Sequence, residues 1–320
     1  MRPVLAILLS LTLVSCWFGE RKIVIGVLIS GEGRLTKLDG FRDGLKNLGL
    51  NNVEFVIYNG ENNLKSLEEK AIEIVKREKE FRLVAVGGSL EAYYIKKIKN
   101  DFEPPIVIMG GTAIKAWGFV DDENKPIKGV TGVDNLNMEL MEKRIEIFKR
   151  LFPHVEKAIV FCTPNFEASK LATKLTIKAG EKHGLKIYPL EVRDVQDLEY
   201  VISHMKEDGF EAIVMTPCFY TDNFLTSYIL HYARFYHIPV VCLSPEHATK
   251  GCAVAYGSSG YDQGYQASYI AYQIIKGARV ADIPFEKVTK IRLSINESVF
   301  REMGYVLDNS KTLLADQVFK

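Results

Sequence analysis

The chain predicts an α/β protein built as two doubly wound parallel-sheet lobes, and three observations carry that prediction. From residue 22 onward, short β-branched runs alternate with longer amphipathic ones, and the same order of elements restarts near residue 158. The strand runs are almost continuously apolar, as expected for parallel strands covered by helices on both faces. Gly184, Gly209 and Gly277 each follow a predicted helix, where a left-handed terminal residue ends it. At 320 residues the chain has room for two ordinary domains. A hydrophobic fraction of 47%, a charged fraction of 25% and a net charge of +1 exclude disorder and give no electrostatic reason to expect a nucleic-acid partner.

In the first half, 23–29 reads as a buried strand and 35–48 as a helix with Leu38, Phe41, Leu45 and Leu48 on one face. Residues 52–58 follow as a strand, and 64–77 as a helix carrying Leu67, Ala71, Ile74 and Val75. Then come a strand at 83–86, a helix at 89–99, a strand at 106–109 after Pro104-Pro105, and a short strand at 130–133. The second half repeats the scheme. Its strands are 158–161, 186–191, 212–215, 238–243 and 252–256, and its helices 167–182, 195–207, 221–236 and 261–276. A strand at 289–295 and a helix at 297–303 close the chain. No low-complexity linker separates the halves. Lobe 1 is therefore expected to comprise 22–131 with 257–288, and lobe 2 132–256 with 289–320, joined by crossing hinge strands around a cleft.

The first residues read as an export signal. Arg2 supplies a positive start, and 4–14 is an apolar run too short to span a bilayer. Leu13-Val14-Ser15-Cys16 resembles the lipobox of bacterial lipoproteins, whose cysteine is acylated; it implies a signal peptide at 1–15, a lipid anchor at Cys16 and a tether at 16–21. The chain is then expected on the extracytoplasmic face of a membrane, held there by its anchor alone. The other cysteines, Cys162, Cys218, Cys242 and Cys252, have no metal-ligand spacing and are expected as small buried packing residues.

In open α/β sheets, ligands bind beyond the carboxyl ends of the strands, where helix N-termini point their N–H groups. The loops at those positions are Ser30-Gly31-Glu32-Gly33-Arg34, Gly87-Gly88-Ser89 and Gly110-Gly111-Thr112 in the first half. In the second they are Thr163-Pro164-Asn165, Thr216-Pro217-Cys218-Phe219-Tyr220 and Ser244-Pro245-Glu246-His247, with Gly257-Ser258-Ser259-Gly260 between the halves. Hydroxyls and glycines recur at nearly every strand exit, and that recurrence points to a polar ligand, although each residue alone also suits a turn or a cap. No nucleophile elbow, HExxH, phosphate-binding loop or dinucleotide fingerprint is present, and His247 is the one histidine placed in a cleft loop. Neither catalysis nor a cofactor is expected.

Several segments carry a family resemblance: Gly40-Phe41-Arg42-Asp43-Gly44-Leu45-Lys46-Asn47-Leu48-Gly49, Gly129-Val130-Thr131-Gly132-Val133, EKRIEIFKRLFP at 142–153, IIKGARVADIP at 274–284 and Leu293-Ser294-Ile295-Asn296. From residue 23 to about 309 the chain resembles the type I periplasmic-binding-protein fold, and within it the ABC-transporter substrate-binding lipoproteins of the tryptophan/tyrosine group. The resemblance implies a monomeric receptor that closes on a small molecule and delivers it to a permease and its ATPase; a ligand-sensing receptor of the same fold is the alternative. It places Ser89 and Thr112 at the ligand from one lobe, and Asn165, Glu167 and Ser169 from the other. Ala113-Ile114, Pro217-Cys218-Phe219 and Ser259 replace three family positions that carry acids, leaving Glu32, Glu167 and Glu246 as the candidates to meet a ligand ammonium. Thr221-Asp222-Asn223 is expected to cap a helix. Phe219, Tyr220 and Tyr261 could stack on a planar ligand or pack in the core. The complete candidate set is Ser30, Glu32, Arg34, Ser89, Thr112, Thr163, Asn165, Glu167, Phe219, Tyr220, Glu246 and Ser259.

Overall fold

The computed structural model describes residues 22–162, 166–192, 195–218, 220–307 and 309–320. The expected signal peptide, tether and acylated Cys16 lie outside them, as do Thr163, Asn165 and Phe219. Among the described residues, no helix is long and apolar enough to cross a membrane.

From the N-terminus, the strands are β1 (Ile23–Ile29), β2 (Val53–Asn59), β3 (Leu83–Val86), β4 (Ile106–Gly111) and β5 (Val130–Asp134). Then follow β6 (Lys157–Cys162), β7 (Lys186–Glu191), β8 (Ala212–Val214), β9 (Val240–Cys242) and β10 (Val254–Gly257). The last are β11 (Glu286–Lys287), β12 (Arg292–Asn296) and β13 (Gln317–Phe319). One sheet runs β11-β5-β4-β3-β1-β2, the other β13-β12-β10-β9-β8-β6-β7. All neighbours are parallel except β10 and β12. Both sheets reverse strand order beside their first strand, between β1 and β3 and between β6 and β8. That is where α/β sheets open a crevice.

The helices are α1 (Leu35–Asn47), α2 (Leu64–Lys76), α3 (Ser89–Ile98), α4 (Met141–Leu151), α5 (Glu167–Lys182), α6 (Val195–His204), α7 (Thr226–Phe235), α8 (Gly260–Ile275), α9 (Glu297–Glu302) and α10 (Asn309–Thr312). The alternating side chains of the first sheet feed two cores. Leu28, Val84, Val86, Ile106 and Ile108 meet α2 and α3, while Ile25, Val27, Ile29, Ala85 and Val107 meet α1 and α8. Burial on both faces accounts for the unbroken apolar runs. The second sheet shares one core with α4, α6, α7 and α9. The motif glycines of α1 serve the packing on α8. A Cβ on Gly40 would lie 2.0 Å from the Tyr261 carbonyl oxygen, and one on Gly264 would lie 1.8 Å from that of Lys37.

The chain crosses between sheets three times, after β5, after β10 and after β11. β5 runs to Asp134, past the junction expected at 131. Arg144, fully buried on α4, fastens two crossings: it donates to Asn137 O (2.7 Å), Asn137 Oδ1 (2.6 Å), Tyr256 O (2.7 Å) and Leu243 O (3.3 Å). Asp262, at the start of α8, binds Arg292 and Lys290 of the third.

Three expectations are revised. The helix foreseen over 221–236 opens with a π-turn, Thr221–Leu225, because the Thr226 hydroxyl reaches back to Thr221 O (3.0 Å) and Asp222 O (2.9 Å) and widens the turn. β11 and β13 were not foreseen; strands of two and three residues are too short to show a period. Cys242 and Cys252 are not separate packing thiols but a disulfide, with Cα atoms 6.4 Å apart. Parallel pairing of β9 with β10 brings the two sites together, which a spacing of ten residues does not reveal.

Candidate functional site

The carboxyl ends of the two sheets face each other across a cleft with two adjoining spaces, of about 40 and 450 Å³, which share Arg34 and Asp222. The smaller lies between the first turn of α3 and the residues Ala168, Ser169, Pro217 and Cys218 of the other lobe. The larger is lined mainly by polar residues, among them Glu32, Lys37, Asn137, Glu246, His247, Ser258 and Gln263.

The floor on the first lobe is built around charges. Lys37 is buried on α1 and donates from Nζ to Gly87 O (2.9 Å) and Gly110 O (2.6 Å), joining the ends of β3 and β4. Burial holds its pKa well below that of an ordinary lysine, Arg34 pushing the same way and Glu91 against it. Glu91 has no exposed surface; Oε1 accepts the Ser30 N–H at 3.1 Å and lies 3.7 Å from Arg34 Nε. The paired glycines make room for these groups. A Cβ on Gly87 would come within 2.8 Å of Glu91 Oε1, and one on Gly110, whose φ is +136°, within 2.0 Å of Gln263 Oε1. Ser89 donates to Thr112 O (2.9 Å) and accepts from Thr112 N (3.1 Å), while the Thr112 hydroxyl bonds Asn135 Oδ1 (3.0 Å). The first turn of α3, preceded by Gly88, has no side-chain cap, so its N–H groups are open to the smaller space.

Across the cleft, Trp117 stands 5.6 Å from Phe166, ring centre to ring centre, with Tyr93 at 5.1 Å behind it. This is an aromatic contact between lobes at the wall of the smaller space. His247 is half-buried, and the packing around its ring desolvates it, which lowers its pKa and favours the neutral form. Eight buried side-chain polar atoms lack a hydrogen-bond partner among the described residues, and six belong to the cleft ends of the sheets: Ser30 Oγ, Arg34 Nε, Glu91 Oε2, His247 Nδ1, Ser258 Oγ and Gln263 Oε1. Buried polar groups are ordinarily satisfied, so this clustering is what a site for a polar ligand requires.

Of the predicted residues, Glu32, Arg34, Ser89, Thr112 and Glu246 line the cleft, and Ser30 is buried behind it with its N–H on Glu91. It directs others elsewhere. Glu167 is 79% exposed and paired with Lys170 at 2.6 Å. Ser259 caps α8 by accepting the Asp262 N–H at 3.0 Å. Glu246 Oε1 accepts the Gly260 N–H at 2.6 Å, so part of its carboxylate holds the hinge. Tyr220 packs against Phe224 on the second core, and Tyr261 lies on the outer face of α8 with its hydroxyl on Asp43. Asp222, expected as a cap, lines both spaces, because the π-turn rotates it into the cleft. Lys37, Glu91, Trp117 and Gln263 were not foreseen. An acid one turn into the helix that follows Gly87-Gly88 was the one available signal for Glu91.

The family model described as "ABC transporter substrate binding protein" matches residues 22–319. A curated relative, the tyrosine-binding protein of Clostridioides difficile (strain R20291), is 22% identical over 285 residues, covering 87% of this chain and 77% of its own length. A Streptococcus pneumoniae ABC domain solved in complex with L-Trp superposes with a TM-score of 0.82 at 20% identity, over 93% of this chain and all of the other. A conserved domain protein from Vibrio cholerae gives 0.84 at 18% identity, with the same coverage.

Proposed function

The chain belongs to the ABC transporter substrate-binding protein family, the importer component that captures a small solute between two lobes, and from that premise we propose that its solute is an aromatic amino acid. The supporting observation is the set of orphaned polar atoms around Arg34 and Glu91, with Asp222 and Trp117 at the same small space. A ligand carboxylate fits the uncapped first turn of α3 beside Arg34, where N–H groups and the helix dipole favour an anion. Its ammonium fits Asp222, the acid at the small space, while Glu91, buried beneath Arg34, positions the arginine. Its ring would lie against Trp117 once the lobes part, because the space of about 40 Å³ between them here is smaller than an aromatic amino acid. Because Arg34 and Asp222 come from different lobes, a ligand that bridges them favours closure by its differential contacts.

The remaining assignments are lipid anchorage at Cys16 on the extracytoplasmic face and docking to a permease–ATPase pair as a monomer. The Cys242–Cys252 disulfide supports that compartment. A thermal-shift screen of amino acids, organic acids, nucleobases and sugars tests the ligand reading. A ligand at about 100 times its Kd stabilises the fold by roughly 2.7 kcal/mol. Shifts confined to L-tryptophan, L-tyrosine or L-phenylalanine are expected; shifts given only by sugars or simple acids would overturn it.

A further inference from the structure

Resting on the aromatic reading of the ligand, we propose that Phe166 is a stand-in for the ligand ring: it holds the aromatic place beside Trp117 when the lobes meet as they do here, and an aromatic amino acid binds by displacing it. Phe166 belongs to the second lobe. It is the N-cap residue of α5, and its carbonyl accepts the N–H groups of Ser169 (3.0 Å) and Lys170 (3.1 Å), so its backbone is fixed to that helix and moves with it. Its ring nevertheless packs on the first lobe. With Tyr93 and Trp117 it lies against the core that β3 and β4 share with α2 and α3. The three rings form a row, Tyr93 to Trp117 at 5.1 Å and Trp117 to Phe166 at 5.6 Å, with planes tilted by 53° and 45°. Trp117 therefore has one aromatic neighbour from each lobe.

The space beside this row decides between two roles for Phe166. A ligand ring that shared Trp117 with Phe166 would need a cavity of about 150 Å³, a size that admits benzene. The space bounded by Trp117, Ala168, Ser169 and the first turn of α3 is about 40 Å³. Parting the lobes enlarges it, and the same motion draws Phe166 away, because its ring travels with α5. The ligand ring and the Phe166 ring are thus alternatives at Trp117 rather than two halves of a sandwich.

The exchange is of like for like. Opening breaks the Trp117–Phe166 pair, and an incoming ring restores an aromatic pair at the same indole. A ligand without a ring breaks the pair and restores nothing. Phe166 therefore sets a threshold that aromatic side chains pass most easily, a competing contact built into the receptor.

Isothermal titration of wild type, Phe166→Ala and Phe166→Leu with L-phenylalanine and L-tyrosine tests the displacement. Removing the competing ring should tighten binding of both amino acids about twofold to tenfold, the worth of one aromatic pair. Phe166→Leu, which keeps apolar bulk and loses the ring, should move the same way by less, and it decides the matter where the alanine variant fails to fold. A gain in affinity separates displacement from damage to the fold, which only weakens binding. Tighter binding by neither variant, with wild type binding both amino acids, overturns the displacement and leaves the ligand reading standing. Wild-type protein that takes up no aromatic amino acid overturns both.

Discussion

Arg34 and Asp222 approach the same space from different lobes, and their chemistry sets the residue-scale expectation. Hydrogen bonds to charged groups contribute about 1.5–3 kcal/mol, so Arg34→Gln and Asp222→Asn should each weaken L-tyrosine binding about tenfold to a hundredfold. Glu167→Gln should leave it unchanged, because that carboxylate is solvated and paired with Lys170. Isothermal titration of the three variants decides between them; equal affinity in wild type and Asp222→Asn would remove Asp222 from the site. Lys37 plays a different part. Its ammonium is consumed by two carbonyls at the ends of β3 and β4, so it shapes the floor rather than meeting a ligand.

At the scale of elements, the crossing of α1 and α8 explains why Gly40, Gly44 and Gly264 stand where a helix would ordinarily prefer alanine. Gly264→Ala gains up to about 1 kcal/mol of helix propensity. It also drives a methyl to 1.8 Å from a backbone oxygen of α1, and overpacking of this kind costs about 1–3 kcal/mol, often through backbone movement. The net expectation is a lower urea midpoint for Gly264→Ala, and for Gly33→Ala, where a Cβ meets nothing within 4 Å, an unchanged midpoint and an unfolding free energy within about 0.5 kcal/mol of wild type. Equal midpoints for the two variants would contradict the tight crossing. The π-turn at 221–225 works at the same scale: one hydroxyl inserted into the helical ladder sets the direction of Asp222.

For the whole molecule, the three crossings determine how the lobes can move, and Asp134 sits where the first meets the third. Its carbonyl accepts the Val288 N–H at 2.9 Å and its carboxylate the Leu136 N–H at 3.0 Å. Burial pushes its pKa up to about 6; the Leu136 bond and Lys287 oppose the rise and Glu139 adds to it. An acid raised on folding binds more protons folded than unfolded between its two pKa values, so its contribution is most favourable in acid and declines as pH rises from about 4 to about 6. Asp134→Asn should remove that penalty and stabilise the neutral protein by up to about 3 kcal/mol. His247 acts in the opposite sense. Burial lowers its pKa, so its contribution is lost as pH falls below the ordinary histidine value of about 6.5. Subtracting wild-type from Asp134→Asn unfolding free energies between about pH 4 and pH 8 isolates Asp134, and a difference that does not vary with pH would refute its raised pKa.

The two lobes and the loops that meet at the cleft were legible along the chain, because a parallel sheet buried on both faces leaves unbroken apolar runs and a glycine or hydroxyl at nearly every strand exit, whereas the strand order was not read from it. Arg34, Ser30 and Ser89 could be placed on that ground alone. Asp222, Glu91, Trp117 and the Cys242–Cys252 pairing could not. The direction of Asp222 depends on a hydroxyl four residues later, Glu91 is held by an arginine and a backbone N–H from another strand exit, and Trp117 acquires its partner only when the second lobe arrives. Pattern reports which face of an element is buried. The angle between elements, the loop that tightens and the side chain that meets another across a gap are decided by packing between residues far apart in the chain, where no local period records them.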